Sequence, residues 1–470
     1  MTNSAPPAST LFRAGAEFEL GFHDLLANGQ AVGRSSGMVI FCFGPLPGET
    51  ARVRITAVKP KYAVVEMLQL VVRAVDRAEP FCPVFGQCGG CQLQHLTYAA
   101  QLHWKRTLVR NALQRIGDLG DVLVREPIGM SAPRHYRNKM SLVVKHEGAQ
   151  TRFGFYRQRS HDVVPIQGCP VVLPALDRII ASLDRARQDE RFRPILSRAR
   201  HVVARSSHAG DQAVVTVTTS VAEKAVADSG QALMGALPGV TGITNSYDIS
   251  GANVILGRRH LAVGGRAYIE EEIQGVRYRV SPASFFQVNT AIVSRIMRFM
   301  QPGLRRPHQI VDLYCGTGTF ALFFAKMGSQ VYGIEESAAA IREAGENAQL
   351  NGLGDRVRFH RGSVEHAVST PVGRSALQDA HIAFLDPPRK GSDPRTLDAL
   401  ANAGVPHVWY LSCDPATLAR DLKFLAAKGY RLGVVQPFDM FPHTGHVETL
   451  VTLYRERPGD ETLEIGPSSN

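Results

Sequence analysis

The chain has 470 residues, too many for one ordinary hydrophobic core, so two or three domains are expected. With 44% hydrophobic and 20% charged residues, and no apolar run near the ~20 residues that span a bilayer, the composition excludes disordered and helical membrane classes. The opening "MTNSAPPAST" lacks a basic segment followed by an apolar core, which points to the cytosol, and a net charge of +11 suits a polyanionic partner.

Residues 1–11 and 457–470 are rich in Ser, Pro, Gly or charge and read as loose tails. From 12 to 75, short alternating runs ("EFELGFHDL", "GMVIFCFG", "ARVRITAVKPKYAVVEML") broken by Gly and Pro predict a small antiparallel, OB-like β-barrel. A central α+β domain, 76–280, opens with "CPVFGQCGGC". Cys82, Cys88 and Cys91, with the distant Cys169 as a fourth, offer four thiolates, which suit zinc or an iron–sulfur cluster. The paired C-x2-C units of zinc sites are missing, and Gly86, Gly89 and Gly90 let the loop wrap a bulky group, so a [4Fe–4S] cluster is preferred.

The segment 97–117 has helical apolar spacing, ends at a Gly, and is free to pack on the C-terminal domain. Strand-like runs such as "KMSLVVKH", "TRFGFYR", "QAVVTVTT" and "GVRYRVS" fill the rest of the central domain. Arg125, Arg134, Arg137, Lys139, Lys145, Arg152, Arg157 and Arg159 are interleaved with Tyr136, Phe153, Phe155 and Tyr156. Cations for phosphates and aromatics for base stacking suit looped RNA. The plain alternative is a solvated strand face over ordinary core aromatics.

Residues 281–456 alternate strand and helix, the pattern of a doubly wound, Rossmann-like α/β domain. In "IVDLYCGTGTFAL" a strand ends near Asp312, and a turn with Gly316 and Gly318 leads into a helix. The next strand, "VYGIE", closes with Glu335. A glycine-rich turn plus an acid fits a ligand carrying a ribose, either a nicotinamide dinucleotide or S-adenosylmethionine. The G-x-G-x-x-A run and the prolines of "DPP" after Asp386 favour S-adenosylmethionine.

Cys413, in "YLSCDPATLARDL", ends the strand after Asp386 and stands before a helix start that would favour its thiolate, while Asp414 pulls the other way. Further on, Asp439, His443, His446 and Glu448 crowd a turn-to-strand junction. The two histidines lack a partner that would complete a metal site, whereas Glu448 is a coherent general base for a cysteine nucleophile.

The stretches "SFFQVN", "DLYCGTGTF", "LDPPRKG", "YLSCDPATLARDL" and "DMFPHTGHVETL" resemble the TrmA/RumA family of RNA uracil-C5 methyltransferases, and the resemblance runs over nearly the whole chain. It implies Cys413 as nucleophile and Glu448 as base. It also implies Gln287, Tyr314, Thr319, Glu335, Ser363 and Asp386 around the cofactor and target base, and Cys82, Cys88, Cys91 and Cys169 as ligands of a [4Fe–4S] cluster. The barrel would be a TRAM domain. Cluster and barrel together imply a uridine of 23S ribosomal RNA as target, ahead of tRNA, with no DNA or membrane partner and a monomeric enzyme. Two departures from the family pattern are Asp414, where Asn is usual, and Ser363, where a larger polar residue is common. Two other classes remain open: a catalytically silent RNA-binding factor, and a purine N-methyltransferase, which also carries a proline-rich motif but needs no cysteine.

Overall fold

The computed structural model describes residues 12–148, 150–220, 224–247, 255–256, 259–455, 463 and 465–466. The expected tail 1–11 lies outside these residues, as does most of 457–470. Strands β1 (Glu17–Leu25), β2 (Gln30–Ser35), β3 (Met38–Phe43), β4 (Thr50–Val58) and β5 (Tyr62–Val72) form a closed barrel in the order β1-β2-β3-β5-β4. The period-two pattern explains it. On β4, Ala51, Val53 and Ile55 face the barrel core, while Arg52 and Arg54 face outward and pair with Glu17 at 2.9 and 2.8 Å.

Helix α1 (Tyr98–Arg115) follows the cysteine loop and crosses onto the C-terminal domain. Its Val109, Ala112 and Leu113 share a core with Leu418 and Leu422. The Trp104 indole N–H reaches back to the Leu25 carbonyl of the barrel at 3.0 Å. Lys105, fully buried, pairs with the equally buried Asp439 at 2.5 Å. The helix thus ties three parts of the chain together.

The central sheet runs β12-β11-β10-β9-β6-β7-β8, from β6 (Lys139–Glu147), β7 (Gln150–Tyr156), β8 (Val163–Pro165), β9 (His201–Ser206), β10 (Ala213–Thr219), β11 (Val240–Tyr247) and β12 (Arg259–Gly265). Helix α2 (Pro174–Ala186) lays Leu176, Ile179, Ile180 and Leu183 against Leu142, Val202 and Val215, as its i, i+3, i+4, i+7 spacing requires.

The hairpin β13 (Ile269–Ile273) and β14 (Val276–Val280) was assigned to the central domain by sequence. It packs instead into the C-terminal core, where Tyr278 donates a hydrogen bond to the Thr319 carbonyl at 2.8 Å. The expected boundary at 280 therefore falls behind a hairpin whose apolar face belongs to the next domain.

That domain holds β15 (Gln309–Leu313), β16 (Gln330–Glu335), β17 (Val357–Arg361), β18 (Ile382–Leu385), β19 (His407–Ser412), β20 (Arg431–Phe438) and β21 (Glu448–Tyr454). The order is β17-β16-β15-β18-β19-β21-β20, with all neighbours parallel except the β19–β21 and β20–β21 pairs. The order reverses between β15 and β18, the switch point at which open α/β sheets bind ligands. The last segment departs from a loose tail: Ile465 is buried in this core, and the Gly466 N–H donates to the Phe299 carbonyl. No helix among the described residues is long and apolar enough to cross a membrane.

Candidate active site

The candidate residues gather at the carboxyl edge of this sheet. After β15 comes Tyr314, held in the left-handed region at φ 69°, with its hydroxyl 3.0 Å from the Ser392 hydroxyl. Such strain in a non-glycine residue is retained where surrounding structure fixes it, often at a functional site. Gly316 and Gly318 also have positive φ (55° and 82°), which explains glycine at both. Thr319 was expected on the loop itself but is the first residue of helix α3 (Thr319–Lys326).

Glu335 closes β16. One of its carboxylate oxygens accepts from the Gly316 N–H at 3.3 Å and the other from the Ser337 N–H at 2.8 Å. This locks the acid against the glycine turn while lone pairs remain for a ribose. Ser363 is half-buried beyond β17, next to Gly362, whose N–H donates to the Glu335 carbonyl. These positions are consistent with a cofactor cleft. Asp312, buried beneath them with one oxygen unpartnered, was noted in the sequence but not counted as a site residue. Burial, then the charges of Asp386 and Glu335, push its carboxyl well up.

Cys413 and Glu448 come together through sheet register. In the antiparallel β19–β21 pair Ser412 stands opposite Thr449, so the next step places Cys413 opposite Glu448. Asp386, following the adjacent β18, accepts from the Gln287 side-chain amide at 3.3 Å. Thus four of the sequence-predicted residues meet where β18 and β19 end and β21 begins.

The site is acidic. Burial raises the carboxyls of Asp386 and Glu448, and the charge of Asp386 raises Glu448 further. Burial also pushes the Cys413 thiol up to about 12, with Glu448 and Asp386 adding to the rise and the Arg389 guanidinium opposing it. Arg389, quoted within "LDPPRKG" but not singled out there, is the counter-charge that sequence reasoning missed. Its Nη2 lies 3.0 Å from the His446 ring, and burial of that imidazole, then the Arg389 charge, hold it down at about 4.

The helix start expected to favour the Cys413 thiolate does not act that way. Asp414 caps helix α4 (Pro415–Ala427), one oxygen accepting from the Ala416 and Thr417 N–H groups at 3.0 Å each. The first-turn amides are spent on that carboxylate, and its charge is the smallest of the influences on the thiol. Asp414→Ala is therefore expected to cost about 1 kcal/mol in urea unfolding, and Asp414→Asn almost nothing, because either carbonyl-bearing side chain can cap.

His443 is no metal ligand here. Nδ1 meets the Gln101 amide at 3.2 Å and Nε2 the Pro133 carbonyl at 2.8 Å, with the backbone held at φ 65°. Its carbonyl accepts from the Gln92 and Leu93 N–H groups of the cysteine loop.

Cys82, Cys88, Cys91 and Cys169 all line one cavity of about 650 Å³. The loop is fixed by the Gly89 N–H on the Tyr156 carbonyl and the Cys169 N–H on Asp177 at 2.6 Å. Burial and the neighbouring cysteines push Cys91 up to about 12 and Cys169 to about 11, so a cation among them would relieve the strain on their thiolates. Among the described residues no three His, Cys, Asp or Glu side chains converge tightly enough to hold a single metal ion.

The basic, aromatic stretch is only partly what its sequence suggested. Tyr136 and Phe153 are core residues, and of the four aromatics Tyr156 is the exposed one. Arg134 stacks on Phe81 at 4.0 Å and Arg159 on Phe43 at 5.1 Å.

A sheet of this order, with a glycine turn after its first strand and a barrel ahead of it, defines the S-adenosylmethionine-dependent methyltransferase fold with an N-terminal TRAM barrel. The model of the tRNA (uracil-5-)-methyltransferase family matches residues 97–456 and that of the TRAM domain residues 12–68, and the chain belongs to that methyltransferase family. It is 34% identical over 451 residues to an uncharacterized RNA methyltransferase of Clostridium acetobutylicum, covering 93% of this chain and 97% of that one. It is 35% identical to another from Thermosynechococcus vestitus, covering 94% and 99%. Its structure is similar to that of the Pyrococcus abyssi tRNA (uracil-54, C5)-methyltransferase in complex with S-adenosyl-L-homocysteine, with a TM-score of 0.71 and 27% identity over 92% of this chain and 99% of that one.

Proposed function

We propose that the protein methylates C5 of a uridine in RNA, with S-adenosylmethionine as methyl donor and 23S ribosomal RNA as target. The observation that carries this is the opposition of Cys413 and Glu448 at the sheet edge, beside Asp386 and Gln287. Gln287, Tyr314, Thr319, Glu335, Ser363 and Asp386 would hold the donor and the uracil. When bound, S-adenosylmethionine supplies an electrophilic methyl group on a sulfonium.

Uracil C5 is too weak a nucleophile to take that methyl unaided. Addition of the Cys413 sulfur to C6 turns C5 into an enolate carbon, which accepts the methyl group. Glu448 then takes the C5 proton, the C6–S bond breaks, and the thiolate returns. Reaching C6 of a stacked base requires flipping it out of the stack. Asp386, bonded to the Gln287 amide, orients the groups that face the base, while Arg389 offsets negative charge as the thiolate forms.

A second target, tRNA, is favoured by the likeness to the Pyrococcus abyssi enzyme. Mass-spectrometric mapping of 5-methyluridine in 23S rRNA and tRNA from a deletion strain tests both. Loss of one rRNA position supports the first, and loss confined to tRNA replaces it with the second.

The cysteine cavity we assign to a [4Fe–4S] cluster on Cys82, Cys88, Cys91 and Cys169, since all four line one cavity. Anaerobically purified protein should carry a broad brown absorbance that is lost with Cys88→Ser. Colourless protein containing zinc would reverse the assignment.

A further inference from the structure

The cavity beside the four cysteines is larger than a cluster needs. At about 650 Å³ it matches pockets that admit whole small ligands, ~300–1,000 Å³. No carboxylate lines it, whereas five cations do: Arg137, Lys139, Arg157, Arg159 and Arg205.

On the cationic wall, Lys139 and Arg205 stand directly opposite each other in the β6–β9 pair, so both side chains leave the same face of the sheet. Arg205 is 1% exposed. Its Nη2 donates a long bond to the Ser284 carbonyl at 3.4 Å, but Nε and Nη1 have no partner. The charges of Glu343 and Glu271 favour its cation; Glu271 accepts from the His208 N–H and one Glu343 oxygen from the Ser284 hydroxyl, while the other Glu343 oxygen has no partner.

A buried guanidinium with idle donors is costly unless something completes its bonds. Its planar fork matches the oxygens of a phosphate. Phe285 and Phe286 line the same cavity, and the next residue, Gln287, bonds Asp386 in the candidate active site. Asn138, next to Lys139, donates to the Gln287 carbonyl at 3.1 Å, so the cationic wall is tied to the candidate active site.

We propose that Arg205 and Lys139 grip a backbone phosphate of the RNA beside the nucleotide presented to Cys413. This rests on the RNA-methylation reading above and adds a contact that sets where the strand enters. The test uses the full-length protein with its cluster and an RNA hairpin that it methylates. Lys139→Met and Arg205→Gln should each weaken binding about tenfold, make the salt dependence of affinity shallower by about 1 in log–log slope, and put the activity loss mainly in KM for RNA.

Replacing phosphates near the target uridine one at a time by uncharged methylphosphonate should reveal a single position. That position costs the wild type about tenfold and costs Lys139→Met nothing further. The scan with Lys139→Met carries the test even if Arg205→Gln fails to fold. Wild-type affinity and slope in Lys139→Met, or equal methylphosphonate costs in both proteins, would overturn the proposal. So would a rise in KM for S-adenosylmethionine alone, which would assign the cavity to a methionine carboxylate. Wild type that binds the hairpin but forms no 5-methyluridine sinks the functional reading, while the phosphate contact is still judged by binding.

Discussion

Cys413→Ala is expected to end covalent capture of RNA and to lower methyl transfer by about 10⁴-fold or more, the scale seen when a nucleophile is removed. With RNA carrying 5-fluorouridine, the wild type should form an adduct that survives denaturing electrophoresis, because fluorine at C5 cannot leave as a proton. The variant should form none. Adduct at wild-type levels in Cys413→Ala would remove this cysteine from the mechanism, and activity retained by Cys413→Ser would favour a purine N-methyltransferase. The free thiol, pushed up to about 12, should alkylate slowly at neutral pH. Its rate should climb about tenfold per pH unit, since the thiolate is the reacting form.

Glu448→Gln separates the two halves of the reaction. In the proposed mechanism addition and methylation need only Cys413, whereas elimination needs Glu448, so ordinary RNA should accumulate as a methylated adduct while turnover falls about 10²–10⁴-fold. The same change should make the protein more stable. The Glu448 carboxyl is raised by burial and by Asp386, and one of its oxygens has no partner. Its stabilising share is complete below the unfolded value of 4.5 and drains away as pH climbs through the raised folded value. Glutamine has no proton to lose. Urea curves at about pH 5 and pH 8 should show a smaller fall in stability for Glu448→Gln than for wild type, with a gain of roughly 0.5–2 kcal/mol at the higher pH. A wild-type pH profile in the variant would mean that Glu448 is not the buried acid that titrates.

Barrel, central sheet and doubly wound domain were legible because hydrophobic period and glycine placement are local signals. Glu335, Asp386 and Cys413 could be brought to one edge by topology alone, because parallel strands must all finish on the same side. What sequence missed is tertiary. The hairpin at 269–280 reads like the strands before it, and only packing shows that Tyr278 belongs to the next core. Cationic and aromatic residues alternate at 134–159 as they would on a stacking surface, yet Tyr136 and Phe153 are interior. Arg389 and Asp414 had visible identities, but their effects depend on which atoms they face. The Asp414 carboxylate faces its own helix, so its influence on the neighbouring thiol is small.

The turn ahead of Glu448 has a consequence for when the enzyme becomes dangerous to RNA. Gly445 lies so close to the Ala27 carbonyl of the barrel that a side chain there would collide, the Pro442 carbonyl accepts from the Tyr136 hydroxyl, and the His443 carbonyl holds the cysteine loop. Barrel, central domain and cysteine loop all dock on the few residues that precede Glu448. In the proposed mechanism chemical competence thereby depends on completed assembly: a chain in which one of these parts has not docked has its nucleophile but not a fixed partner for it.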